Sequence, residues 1–146
     1  MKKFVCFSLV ILALIGCLTA CNFASNLSGA LADNATATPK VEEMMTALVN
    51  NHTAEAKALM HPQANKEMDD AIAQMTSYLA GRDVDSIELI NININTSNGT
   101  AGKARQEQVG YKVTLDDSEI IYINAVYLSN NDGDGFIAFQ LVLGLV

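Results

Sequence analysis

Ile90-Asn91-Ile92-Asn93-Ile94-Asn95 alternates apolar and amide side chains with a period of two. Only a β-strand sends such residues to opposite faces, so this stretch predicts a strand with its isoleucines on a core and its asparagines in water. Upstream the period is different. Val41, Met44, Met45 and Leu48 follow the i, i+3, i+4, i+7 stripe of an amphipathic helix. Thr38-Pro39 opens that helix, threonine as N-cap and proline in the first helical position, where its missing N–H costs nothing. Glu42 and Glu43 suit the positive end of the helix dipole, and Asn50-Asn51 ends the segment. A second helix, capped by Thr53, is expected over 54–60 and stops at His61-Pro62, because the residue before proline is pushed out of the helical region. A third, over 65–80, puts Met68, Ala71, Ile72, Met75 and Leu79 on one face, with Gly81 just past its end.

Downstream the two-residue period continues. Ser97-Asn98-Gly99 predicts a turn, and Val109, Tyr111, Val113 and Leu115 alternate in a second strand. Asp116-Asp117-Ser118 turns the chain into a third strand over 120–128, and Ser129 to Gly135 turns it again into a fourth over 136–143. In the third strand Ile121, Ile123, Ala125 and Tyr127 share one face, and Ile120, Tyr122, Val126 and Leu128 the other. Strands apolar on both sides lie centrally or beneath a second layer. Helices segregated before an antiparallel meander define an α+β domain, with N-terminal helices packed on a curved antiparallel four-stranded sheet.

This order resembles the NTF2-like (cystatin-like), cone-shaped α+β fold. The resemblance rests on the Ala-rich stretch from Ala47 to Met60, the His61-Pro62 break, Glu107-Gln108-Val109-Gly110-Tyr111, and Asp132-Gly133-Asp134-Gly135-Phe136, which is similar to the turn before that family's closing strand. It covers residues 38–146, about 109 in all, a length that buries about two thirds of its unfolded surface. The resemblance implies a cone whose interior can serve as a pocket. The Asp or Asp/His pair that NTF2-like enzymes place deep in the cone has no matching motif here.

The amino terminus reads differently. Lys2 and Lys3 precede an uncharged run from Phe4 to Ile15, the n-region and h-region of an export signal. Leu18-Thr19-Ala20-Cys21 then resembles the lipobox of bacterial lipoproteins, in which the cysteine receives a diacylglycerol and becomes the first mature residue. The resemblance implies a signal peptide over 1–20, lipid attachment at Cys21, an Asn/Ala/Ser/Thr-rich flexible tether over 21–37 and a location on the outer side of a bacterial cell membrane. It is also similar to small envelope lipoproteins that carry an NTF2-like domain of unassigned activity. Two acyl chains hold a protein to a bilayer durably where one does not.

Charge bounds the partners. The 146 residues carry 9 Lys+Arg and 16 Asp+Glu, a formal charge of −7 that becomes −9 once Lys2 and Lys3 are removed. A phosphate-backbone binder needs a basic face, so nucleic acid is excluded. All 3 cysteines fall within the first 21 residues, so the domain holds neither a disulfide nor a cysteine zinc site. No P-loop, GxSxG, HExxH or dinucleotide fingerprint occurs, and no cofactor is implied.

Four side chains are candidates for a pocket in the cone: His61 at a helix boundary, and Tyr111, Tyr122 and Tyr127 on neighbouring strands. They would be the polar handles of a small-molecule-binding or isomerase-type enzyme. Asn130, Asp132, Asp134 and Gly135 match positions 1, 3, 5 and 6 of an EF-hand-type calcium loop, but position 12 is Leu141 in place of glutamate. The segment therefore reads as a polar hairpin, with Asp132 and Asp134 the residues a calcium-dependent adhesion module would need. The leading expectation is a non-enzymatic envelope lipoprotein whose domain binds a ligand or partner, with a homodimer formed through the sheet.

Overall fold

The computed structural model describes residues 35–64 and 66–144. Among them three helices, α1 (Ala37–Val49), α2 (Thr53–Ala58) and α3 (Glu67–Leu79), precede four strands, β1 (Val84–Gly99), β2 (Gly102–Leu115), β3 (Ile120–Asn130) and β4 (Gly133–Leu143). The strands form one antiparallel sheet in the order β1-β2-β3-β4, so the chain is an α+β protein with an open meander. The helices gather on one face, α1 against β2 and β3, α3 against β4.

The helical stripe and the strand alternation close on each other. Val41, Met44, Met45 and Leu48 of α1 and Ile72, Met75 and Leu79 of α3 are buried against successive sheet rows. Two of those rows are Leu89–Tyr111–Ile123 and Ile92–Val109–Ala125–Phe139. Each fully buried aliphatic or aromatic side chain contributes about 1.5–3 kcal/mol, which makes this interface the source of most of the stability. Gly81, at φ +77, follows α3 in the left-handed region and donates its N–H to the Val49 carbonyl at 2.9 Å, tying the end of α3 to the end of α1.

Three local differences from the sequence reading have physical causes. The register of β1 against β2 shifts between Leu89, opposite Tyr111, and Asn91, opposite Gly110. Ile90 is the extra residue of this bulge and is 52% exposed, so the inward alternation uses Ile87 and Leu89 before the bulge and Ile92 and Ile94 after it. The strands also run to the hairpin tips. Pairing continues to Gly99–Gly102 and to Asn130–Gly133, which leaves only Thr100-Ala101 and Asn131-Asp132 as turns. Finally, α1 begins at Ala37 rather than after Thr38, because its cap comes from elsewhere in the chain.

The link between α2 and α3 crosses the start of β4. Phe136 donates its N–H to the Leu59 carbonyl and His61 donates its N–H to the Phe136 carbonyl, both at 2.9 Å. A Cβ on Gly135 would lie 2.6 Å from the carbonyl carbon of Met60. Glycine is therefore required by the close passage of one backbone over another.

Candidate functional site

Between the helices and the inner face of the sheet, the described residues bury mostly hydrocarbon together with the carboxylate of Glu107. Glu107, 1% exposed, sits in the inward row Ile94–Glu107–Tyr127–Phe136 and reaches the start of α1. Its Oε2 accepts from the Ala37 N–H at 2.7 Å, and its Oε1 accepts from the Thr36 N–H at 3.1 Å and from Arg105 Nε at 2.7 Å. No side chain adjacent in sequence caps α1, and its first turn holds no acidic residue. Glu107 thus satisfies two of the orphan N–H groups of this helix and places a negative charge at its positive end. In the two-residue period of β2, position 107 shares a face with Val109, Tyr111 and Val113. A carboxylate on an apolar face was the available signal for a long-range cap.

The four pocket candidates are not brought together. Tyr111 is fully buried with its hydroxyl beside that of Thr38, and burial pushes its pKa up to about 12. Tyr127 lies four residue rows away, edge-on to Phe136 with ring centroids 5.1 Å apart, and burial likewise raises its pKa. Tyr122 is on the opposite face of the sheet, in register with Lys112 and Val142.

His61, 2% exposed, clamps the β3–β4 hairpin. Its Nδ1 accepts from the Gln63 N–H at 3.0 Å, so Nε2 carries the proton and donates to the Gly133 carbonyl at 3.0 Å and to Asn130 Oδ1 at 3.1 Å. This hairpin contains the two aspartates of the calcium-like motif. Asn130 Oδ1 also accepts from the Asp132 N–H at 2.9 Å, and Asp132 Oδ2 accepts from Gln63 Nε2 at 2.5 Å. These oxygens are engaged by protein donors, and no group of three or more potential metal-ligating side chains occurs among the described residues.

Among the described residues, concavities lie outside the core on both layers. One, of about 280 Å³, opens on the outer sheet face around Gly110. Asn91, Gly110, Asn124 and Gln140 stand in register there across all four strands, and the missing side chain of Gly110 makes the dip. Another, of about 420 Å³, is a groove between α1 and α2. Its walls are Pro39, Ala47 and Leu59, and its polar groups include the carboxylates of Glu42, Glu43 and Glu55. Lys40 pairs with Glu43 at 2.8 Å and His52 with Glu55 at 3.2 Å, whereas burial alone raises the pKa of Glu42.

A surface network ties α3 to the β2–β3 turn. Tyr78 donates to Glu119 Oε1 at 2.6 Å, and Arg82 Nη2 donates to Glu119 Oε2 at 2.5 Å and Asp117 Oδ2 at 2.6 Å. The Arg82 guanidinium lies 5.0 Å from the centroid of the Tyr78 ring, and its hydrogen bond to Glu119 raises its pKa further. Cys21 and most of the tether lie outside the described residues. No described helix is long and apolar enough to cross a membrane. Comparison with protein-family models, curated proteins and solved structures finds no match for this chain.

Proposed function

We propose that this chain is a non-enzymatic binding module of a bacterial cell envelope, anchored by lipid on Cys21 and built on an NTF2-like domain. The observation that carries the binding reading is the outer face of the sheet, on which no described helix packs. The three described helices occupy the other face, and the outer rows combine Tyr122, Val126 and Ala138 with Asn91, Asn124 and Gln140. Such a mixture of apolar and amide groups, with the charges of Glu88 and Lys112 in the row of Tyr122, suits a docking surface, and a second copy of the chain is its occupant. The interior supports binding over catalysis, because its buried carboxylate, Glu107, is already held by α1 and Arg105. Fold alone assigns no chemistry, and a site must do so.

Light scattering on the purified chain tests the docking face: wild type should be dimeric at micromolar concentration and Val126→Arg monomeric. A monomeric wild type overturns the copy-to-copy reading. Metabolic labelling with palmitate tests the anchor separately. Label and membrane association should both be lost in Cys21→Ala, and an unlabelled wild type refutes lipid attachment.

A further inference from the structure

The α1–α2 groove lies on the helical layer, away from the sheet face, and its charges are not equally accounted for. Glu43 is neutralised by Lys40 one turn earlier. Glu55 stands in the first turn of α2, where the helix dipole favours it, beside His52. Glu42 has neither support. It is half-buried, lies beyond the first turn of α1, and has no side-chain partner among the described residues. Its neighbours one turn away are Thr38, Pro39, Met45 and Thr46, none of them cationic, and the Thr46 hydroxyl donates to the Glu42 backbone carbonyl rather than to its carboxylate. A partly desolvated, unpaired carboxylate is a standing cost in a folded protein, and an incoming cation would remove it.

The rest of the groove narrows the choice of cation. Leu59, Ala47 and Pro39 supply hydrocarbon beside that carboxylate, and about 420 Å³ is the size of a small-molecule site. A hydrated metal ion would leave the apolar wall unused, whereas an ammonium group on a hydrocarbon body fits both parts. We propose that the α1–α2 groove binds a small organic cation, its ammonium group on Glu42 and its apolar body against Leu59 and Ala47.

Calorimetric titration of the full chain with 2-phenylethylammonium, and with the uncharged isostere 2-phenylethanol, tests this. The ammonium compound should bind about tenfold more tightly, the effect of one charge-assisted contact in a partly buried site. Glu42→Gln should abolish that discrimination, and added salt should weaken the ammonium compound alone. Thr46→Lys provides a second variant. Lysine four residues after Glu42 would pair with it on the helix surface and fill the site from within, so binding should be lost although every carboxylate remains. Equal affinity for the two compounds, discrimination that survives Glu42→Gln or Thr46→Lys, or no binding of either compound by wild type would each overturn the proposal. Its failure leaves the sheet-face reading intact, since Val126 and Glu42 lie on opposite layers.

Discussion

The two faces of the sheet are built from the same strands, offset by one residue, and they have opposite characters. On the inner face Tyr111, Val113, Ile121, Ile123, Phe136 and Phe139 are buried beneath α1 and α3. On the outer face Gln108, Asn124 and Gln140 are exposed and Tyr122 and Val126 only half-buried. Hydrophobic stabilisation follows area removed from water, so the inner face carries the fold and the outer face contributes little to it. The difference teaches where binding can be placed at low cost. Side chains on the inner face are committed to packing, whereas those on the outer face can change without unfolding the domain.

The largest break in that comparison comes from Phe136. Its ring packs edge-on against both Tyr127 and Phe139, at 5.1 and 5.3 Å between centroids, and is wholly buried. Phe136→Ala should cost about 3–5 kcal/mol in chemical denaturation, from lost transfer energy plus the cavity left behind. Val126→Ala, across the sheet, should cost under about 1 kcal/mol. Similar losses at the two positions would show that the outer face is part of the core.

Polar residues should divide in the same way. Glu107→Ala removes the acceptor of the Thr36 and Ala37 N–H groups and one partner of Arg105, and should cost about 2–3 kcal/mol. Gln108→Ala, one residue along the same strand and exposed, should stay within about 0.5 kcal/mol. Hydrogen exchange adds a local signature: the first turn of α1 should lose protection in Glu107→Ala and keep it in Gln108→Ala. Unchanged protection at Ala37 and Thr38 would remove the long-range cap from the account.

What the sequence made legible follows the same division between local and distant causes. The change from a 3.6-residue to a two-residue period located the three helices and four strands of the described residues, because each pattern is local. Ile90 was misplaced because a bulge is set by pairing with Tyr111 and Gly110, which single-strand alternation cannot register. Asn98-Gly99 and Asp132-Gly133 carry turn chemistry, yet both glycines are paired, since strand pairing extends to two-residue tips. The start of α1 depends on a carboxylate 70 residues further on. The site was less legible than the fold. His61 and the three tyrosines are chemically suited to a pocket, but face and row decide whether side chains meet. Only Tyr111 and Tyr127 share the interior, and they do so as packing residues.

The smallest effect is electrostatic and lies at the rim, where neither face dominates. The Tyr78 hydroxyl, then Arg82, hold the Glu119 carboxyl below the ordinary glutamate range. For Asp117 the first cause is the Glu119 N–H it accepts from at 3.1 Å, with Arg82 beside it. A carboxylate whose pKa is lower in the folded state stabilises the fold above its unfolded pKa, and loses that contribution as pH falls through the folded one. Glu119→Gln should therefore be less stable than wild type at neutral pH, and the gap should close on acidification below the ordinary carboxylate range. Glu42 should behave in reverse. Burial raises its pKa, so its ionised form opposes folding at neutral pH, and Glu42→Gln should be at least as stable as wild type there, the two converging in acid. Thermal unfolding from neutral pH to about pH 3 measures both. A Glu119→Gln deficit that persists unchanged in acid would mean that Glu119 acts through shape, and a Glu42→Gln deficit at neutral pH would mean that its charge already has a partner.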